Sequence, residues 1–231
     1  MQLAPILSVT YGACRRIRNV TFAFLALAAG FAGAARAAPL TLVAFGDSLT
    51  QGYGLADGDG LVPQLQAWLT AKGADVTVLN AGVSGDTTAG GLSRIAWTLT
   101  PEVDAIIVTL GGNDLLRGID PAETRANLDG ILTETQSRNL PTLLVPMIAP
   151  GNFGADYKTA FDAIYPDLAA TRGATLAQPF FAPLTDGSTD PAAMRPWLQA
   201  DGIHPNKDGV AKIVAVLGPE VLAFLATVAA K

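Results

Sequence analysis

LTLVAFGDSLTQGYG, residues 40–54, passes from an apolar run straight into three glycines, an aspartate and a serine. An apolar run of this length, bounded at once by glycine and polar residues, predicts a buried strand over 40–46. Ser48 then stands two residues beyond the strand, at its carboxyl end. Three readings of that placement compete: a turn, a phosphate cradle, or a nucleophile.

The rest of the chain repeats the pattern. Further strands are predicted at 75–80, 104–110, 141–147 and 174–178, all short and rich in apolar residues, as strands covered on both faces are. Helices are predicted at 60–72, 86–99, 121–138, 155–171 and 207–228. The second opens at Asp86-Thr87, and the third has Pro121 in the first turn behind Asp120 as cap. Strands alternating with helices at this length predict an α/β fold with a parallel sheet of about five strands between two helical layers. Ligands bind such sheets beyond the carboxyl ends of the strands. Three polar, glycine-containing loops fall there: the one with Ser48, Asn80–Asp86, and Gly111–Asp114.

The 231 residues carry a net charge of −5 and suffice for one domain with a sizeable core. Residues 1–37 contain no acidic residue; three arginines precede the apolar VTFAFLALAAGFAG, and AARAAP follows. Basic region, apolar core and small-residue site is the order of a secretory signal, with cleavage expected before Ala38. The domain would then be residues 38–231 of an exported protein, periplasmic or secreted. Loss of the signal removes four arginines and no acid, so the −5 of the whole chain becomes −9. Such a domain is a poor partner for nucleic acid or anionic membrane. Cys14, the single cysteine, lies in the signal, which leaves no thiol chemistry and no disulfide for the domain.

The chain has one histidine, His204, in DGIHPN. Asp201 precedes it by three residues, close enough to bond one ring nitrogen across a turn. A carboxylate that holds an imidazole is what a serine nucleophile requires of its partner. One histidine and no cysteine in the domain make a poor zinc site. Asp57, Asp59 and Asp186 leave a hard cation open, without an EF-hand spacing. Neither phosphate-loop pattern occurs around Gly46, Gly52 and Gly54, and Ser48 is not in a G-x-S-x-G elbow.

Four blocks in order, GDSLTQGYG (46–54), NAGVSGDTTAGGLSR (80–94), LGGNDLLRG (110–118) and DGIHPN (201–206), resemble those of the GDSL/SGNH hydrolases. The likeness runs from about residue 40 to the C-terminus and is greatest to the small exported bacterial arylesterase, acyl thioesterase and lysophospholipase branch. It implies a flavodoxin-like SGNH-hydrolase fold and an esterase without cofactor or metal. By the same resemblance Ser48 is the nucleophile, His204 the general base and acid, and Asp201 its orienting carboxylate. The oxyanion donors are the backbone N–H groups of Ser48 and Gly85 and the side-chain amide of Asn113. Asp47 and Asp114 are expected to bond backbone N–H groups in their own turns, and Ser84 and Asp86 to serve as turn and cap residues. Leu115, Leu116, Ile148, Phe153 and Trp197 are the expected contacts for a small acyl or aryl ester. A carbohydrate O-acetyl esterase is a second reading on the same fold, and a non-catalytic ligand-binding domain a third.

Overall fold

The computed structural model describes residues 39–229 except 186 and 189. The expected signal and Asp186 lie outside the described residues.

Five strands form one parallel sheet: β1 (Leu40–Gly46), β2 (Val76–Gly82), β3 (Ala105–Thr109), β4 (Thr142–Leu144) and β5 (Thr175–Leu176), in the order β2-β1-β3-β4-β5. Every residue of β3 is buried, because it is central and covered on both faces. β2 lies at the edge, and there Thr77 and Leu79 are exposed while Val76 and Val78 point inward. β4 stops short of its predicted end. Pro146 has no N–H to extend the ladder, and Val145 makes the last bond, to the Val108 carbonyl at 3.0 Å.

The helices are α1 (Ser48–Gln51), α2 (Leu61–Ala71), α3 (Thr88–Thr98), α4 (Gly112–Arg117), α5 (Pro121–Ser137), α6 (Ala155–Asp162), α7 (Ile164–Arg172), α8 (Ala182–Thr185) and α9 (Lys207–Ala229), with 3₁₀ turns at Gly151–Phe153 and Pro191–Trp197. Helices α2 and α9 pack together, and α3, α5 and α7 form the second helical set, so the sheet lies in a three-layer α/β/α sandwich. Caps follow the side chains: Thr87 Oγ1 accepts from the Gly90 N–H, and Asp120 Oδ1 from the Ala122 N–H. The single helix predicted over 155–171 is two, meeting at Ala163. Pro166 explains the break, since its ring excludes the carbonyl of Asp162 four residues back. Helix α9 is long and apolar enough to cross a membrane by composition, but Val210, Ile213, Val214, Leu217, Val221, Phe224 and Leu225 are buried against the domain.

The register sets the functional edge. Gly46 pairs with Gly82 on one side and Thr109 on the other, so β1, β2 and β3 end level with one another. The chain's crossovers change direction between β1 and β3, the place where open α/β sheets leave a crevice.

Candidate active site

Ser48 begins α1, directly after the turn at Asp47. Asp47 caps that helix by accepting from the Leu49 N–H at 3.0 Å, and Ser48 Oγ is thereby turned toward the segment before α9. There His204 Nε2 lies 2.8 Å from Ser48 Oγ, and His204 Nδ1 lies 2.6 Å from Asp201 Oδ2. The other Asp201 oxygen accepts from the backbone N–H groups of Ile203 and His204, at 2.9 and 3.0 Å. Partial burial is the largest influence on this carboxyl and would raise it. The two N–H bonds and the imidazole together outweigh burial and hold it down at about 2. An ionised carboxylate only accepts, so Nδ1 carries the hydrogen and Nε2 presents its lone pair to the serine hydroxyl.

The segment that delivers Asp201 and His204 is a clasp. Leu198 bridges Pro205, the Gln199 N–H donates to the His204 carbonyl at 2.7 Å, and the Asn206 N–H donates to the Trp197 carbonyl at 2.8 Å. Asn206 also accepts from the Gly209 N–H through Oδ1, capping α9. Gly209 lies against the clasp, where a Cβ would stand 2.2 Å from the Trp197 carbonyl oxygen.

Asn113, in the first turn of α4, ties the three loops together. Its Nδ2 donates to the Asp86 carbonyl at 2.9 Å and to Asp47 Oδ2 at 3.3 Å. Gly85 adopts φ +83°, a conformation that glycine permits, and its carbonyl accepts from Arg117 at 2.9 Å. Arg94 braces the same edge. It donates to Asp86 at 2.6 Å and to the Ala81 and Gly46 carbonyls at 2.9 and 2.8 Å, with its guanidinium 4.0 Å from the centre of the Phe45 ring.

Asp47 is 1% exposed. Burial pushes its carboxyl up to about 6, against the smaller opposing effects of the Leu49 N–H and the Asn113 amide. Its own-turn bond matches expectation. Asp114 does not make one: it reaches across to α3 and α5, accepting from the Thr88 N–H at 2.9 Å and from the Thr88 and Thr124 hydroxyls at 2.6 and 3.2 Å. Thr87 rather than Asp86 caps α3, because Asp86 is engaged by Arg94.

Of the expected ester contacts, Leu116, Ile148 and Phe153 are exposed. Leu115 is instead drawn into the core, since it falls on the inner side of α4. Trp197 is half-buried against the core beneath the Lys212 ammonium, 4.1 Å from its ring centre. Sequence reasoning passed over Tyr53, Arg94, Gln199 and Asn206. Three of them lie in the quoted blocks, Tyr53 within the first, Arg94 at the end of the second and Asn206 at the end of the fourth, and only Gln199 carried no such signal. Asp59 pairs with Lys207 at 3.0 Å, and among the described residues no group of three metal-binding side chains forms. A cavity of about 190 Å³ opens at the opposite end of the sheet, between Leu132, Thr142 and Arg172, away from this chemistry.

Residues 44–212 match the GDSL-like Lipase/Acylhydrolase family, and the chain belongs to it. It is 39% identical over 171 residues to Esterase TesA of Pseudomonas aeruginosa, covering 74% of this chain and 82% of the relative. To Thioesterase 1/protease 1/lysophospholipase L1 of Escherichia coli it is 36% identical over 192 residues, covering 82% and 85%. Among solved structures, AlinE4, an SGNH-hydrolase family esterase, is 44% identical with a TM-score of 0.65, over 80% of this chain and 95% of that one. The psychrotrophic esterase EstA from Pseudoalteromonas has a TM-score of 0.72 at 28% identity, over 80% and 98%.

Proposed function

We propose that the protein hydrolyses small acyl and aryl carboxylic esters through an acyl-enzyme on Ser48. The observation that carries this reading is the unbroken chain from Ser48 Oγ through both nitrogens of His204 to Asp201, at 2.8 and 2.6 Å. A serine hydroxyl is a weak nucleophile until a base takes its proton. Here the proton passes to Nε2 as Oγ bonds to the acyl carbon, and Asp201 stabilises the resulting imidazolium. The same proton then goes to the departing alcohol oxygen as its bond to the acyl carbon breaks. Water repeats the two steps and frees the acid. The carbonyl oxygen is assigned to the Ser48 and Gly85 N–H groups and the Asn113 amide. Ser48 N–H suits this because the first turn of a helix has no internal acceptor for it. At Asn113, the incoming oxygen competes for the hydrogen on the longer bond, the one to Asp47.

The exposed Leu116, Ile148 and Phe153 favour an apolar acyl chain over a sugar, which would want hydrogen-bonding side chains there. The relatives named esterase and thioesterase/lysophospholipase fit the same substrate class. We take residues 1–37 as an export signal, which places the reaction outside the cytoplasm.

Hydrolysis of p-nitrophenyl esters from acetate to palmitate, by the protein and by Ser48→Ala, tests the reading. Loss of about 10⁶ in kcat is expected for the variant, together with a covalent phosphonate adduct on wild-type Ser48 only. Equal rates from the two proteins would remove the nucleophile and the esterase with it.

A further inference from the structure

We propose that Tyr53 forms the wall of the site that receives the alcohol side of the ester and that it favours flat aromatic alcohols. This rests on the esterase reading and adds a residue and a substrate preference to it.

The position follows from where the proton must go. His204 gives its proton to the departing oxygen, so that oxygen must come within about 3 Å of Nε2. The group attached to it therefore lies beside the imidazole, while the carbonyl oxygen lies toward Gly85 and Asn113. The side chain bordering the imidazole is Tyr53. Its ring centre is 4.7 Å from that of His204, with 39° between the planes, and the residue is 52% exposed. The aromatic surface not turned to His204 is open to a ligand.

The placement is held from two sides. The Tyr53 N–H donates to the Ser48 carbonyl at 3.1 Å. Gln199 Nε2 donates to the Tyr53 carbonyl at 2.8 Å and to the Pro205 carbonyl at 3.0 Å, spending both amide hydrogens on the two sides of the site. Gly54 leaves room for this, because a Cβ there would stand 2.3 Å from Gln199 Oε1. Tyr53 is thus fastened to the nucleophile's turn and to the histidine's segment. An aromatic ring with two rotatable side-chain angles and a fixed backbone offers a stacking surface at little entropic cost. Ile203, adjacent in sequence to His204, adds an exposed apolar side chain.

The alternative is that Tyr53 only shields the imidazole. Truncation would then weaken every ester alike. The discriminating pair is phenyl acetate and 2,2,2-trifluoroethyl acetate, which share the acyl group and have activated alcohols, only one of them aromatic. We expect Tyr53→Ala to lower kcat/KM for phenyl acetate by about three- to tenfold more than for trifluoroethyl acetate, the range of an aromatic contact. Tyr53→Phe should restore the ratio. Tyr53→Leu, which keeps apolar bulk in case the alanine variant folds poorly, should not. Chain-length preference on p-nitrophenyl esters should be the same in all four proteins. Equal losses on the two acetates, or a changed chain-length preference, would overturn the assignment. Absence of turnover by the wild type would overturn the esterase reading instead.

Discussion

Asp47 joins stability to chemistry in one carboxyl. Burial raises it to about 6, against 3.8 when unperturbed, so the folded protein binds its proton more tightly than the unfolded chain does. Stability from this group is therefore greatest below pH 4, falls as pH rises to about 6, and stays lower above. At 1.36 kcal/mol per unit the difference is on the order of 3 kcal/mol. Asp201, held at about 2, has the opposite sign: its contribution is present above pH 4 and is lost as pH falls toward 2. Melting temperatures of wild type and Asp47→Asn at pH 4 and pH 8 isolate the first effect, since Asp201 is common to both. The variant is expected to gain on the wild type at pH 8 and to lose activity, because with its single Oδ1 kept on the Leu49 N–H its Nδ2 faces the Asn113 amide donor to donor. An unchanged gap between the two pH values would contradict the shift. If Asn113 is the oxyanion donor proposed above, Asn113→Ala should lower kcat by about 10²–10³, measured on p-nitrophenyl acetate. The pairing of Asp201 with His204 was legible in sequence because one histidine and a carboxylate three residues away leave little choice, whereas Ser48 as their partner was expected from the resemblance of the four blocks. The bond between Asp47 and Asn113 was not, since it spans 66 positions and arises only from the level ends of β1 and β3.

Helix placement at this edge depends on buried polar anchors. Asp114 joins α3, α4 and α5 through three accepted bonds, and none of its surface is exposed. Asp114→Ala would leave the Thr88 N–H and two hydroxyls without that acceptor, at a cost of roughly 2–4 kcal/mol. For a domain of this size that is a fall of about 4–16 °C in melting temperature, read by calorimetry. Gly209→Ala acts differently. Its Cβ would press on a backbone carbonyl, forcing α9 and the clasp apart. We expect a loss of kcat larger than the loss of stability explains, because the clasp carries His204. The main helices were legible from apolar spacing, caps and prolines. Pro166 was in view but its effect was not drawn, so one helix was expected where two form. The short α1 and α4 were hidden, since four to six residues cannot show a helical period and are held by loop contacts instead.

At the scale of the molecule, the alternation of apolar strands and amphipathic stretches disclosed the three-layer class. The order of strands is not contained in that alternation. Buried parallel strands present similar apolar runs wherever they sit, and only the two edge strands mark their sequences, β2 through Thr77 and Asn80 and β5 through the exposed Thr175. The last helix matters most to the whole. Seven large apolar side chains of α9 are buried, each worth about 1.5–3 kcal/mol, so together they match the full stability of a typical domain. A chain ending at Asn206 retains Ser48, Asp201 and His204. It is expected to show neither cooperative melting nor ester hydrolysis, checked by circular dichroism and the p-nitrophenyl assay.

The span of 156 residues between Ser48 and His204 also has a meaning in time. At about 5–20 residues per second, a ribosome that has finished Ser48 needs roughly eight to thirty seconds to reach His204, its proposed base. Throughout that interval the growing chain carries an inert serine. On the proposed mechanism reactivity arrives late, with the closing helix, so the appearance of turnover marks a finished molecule.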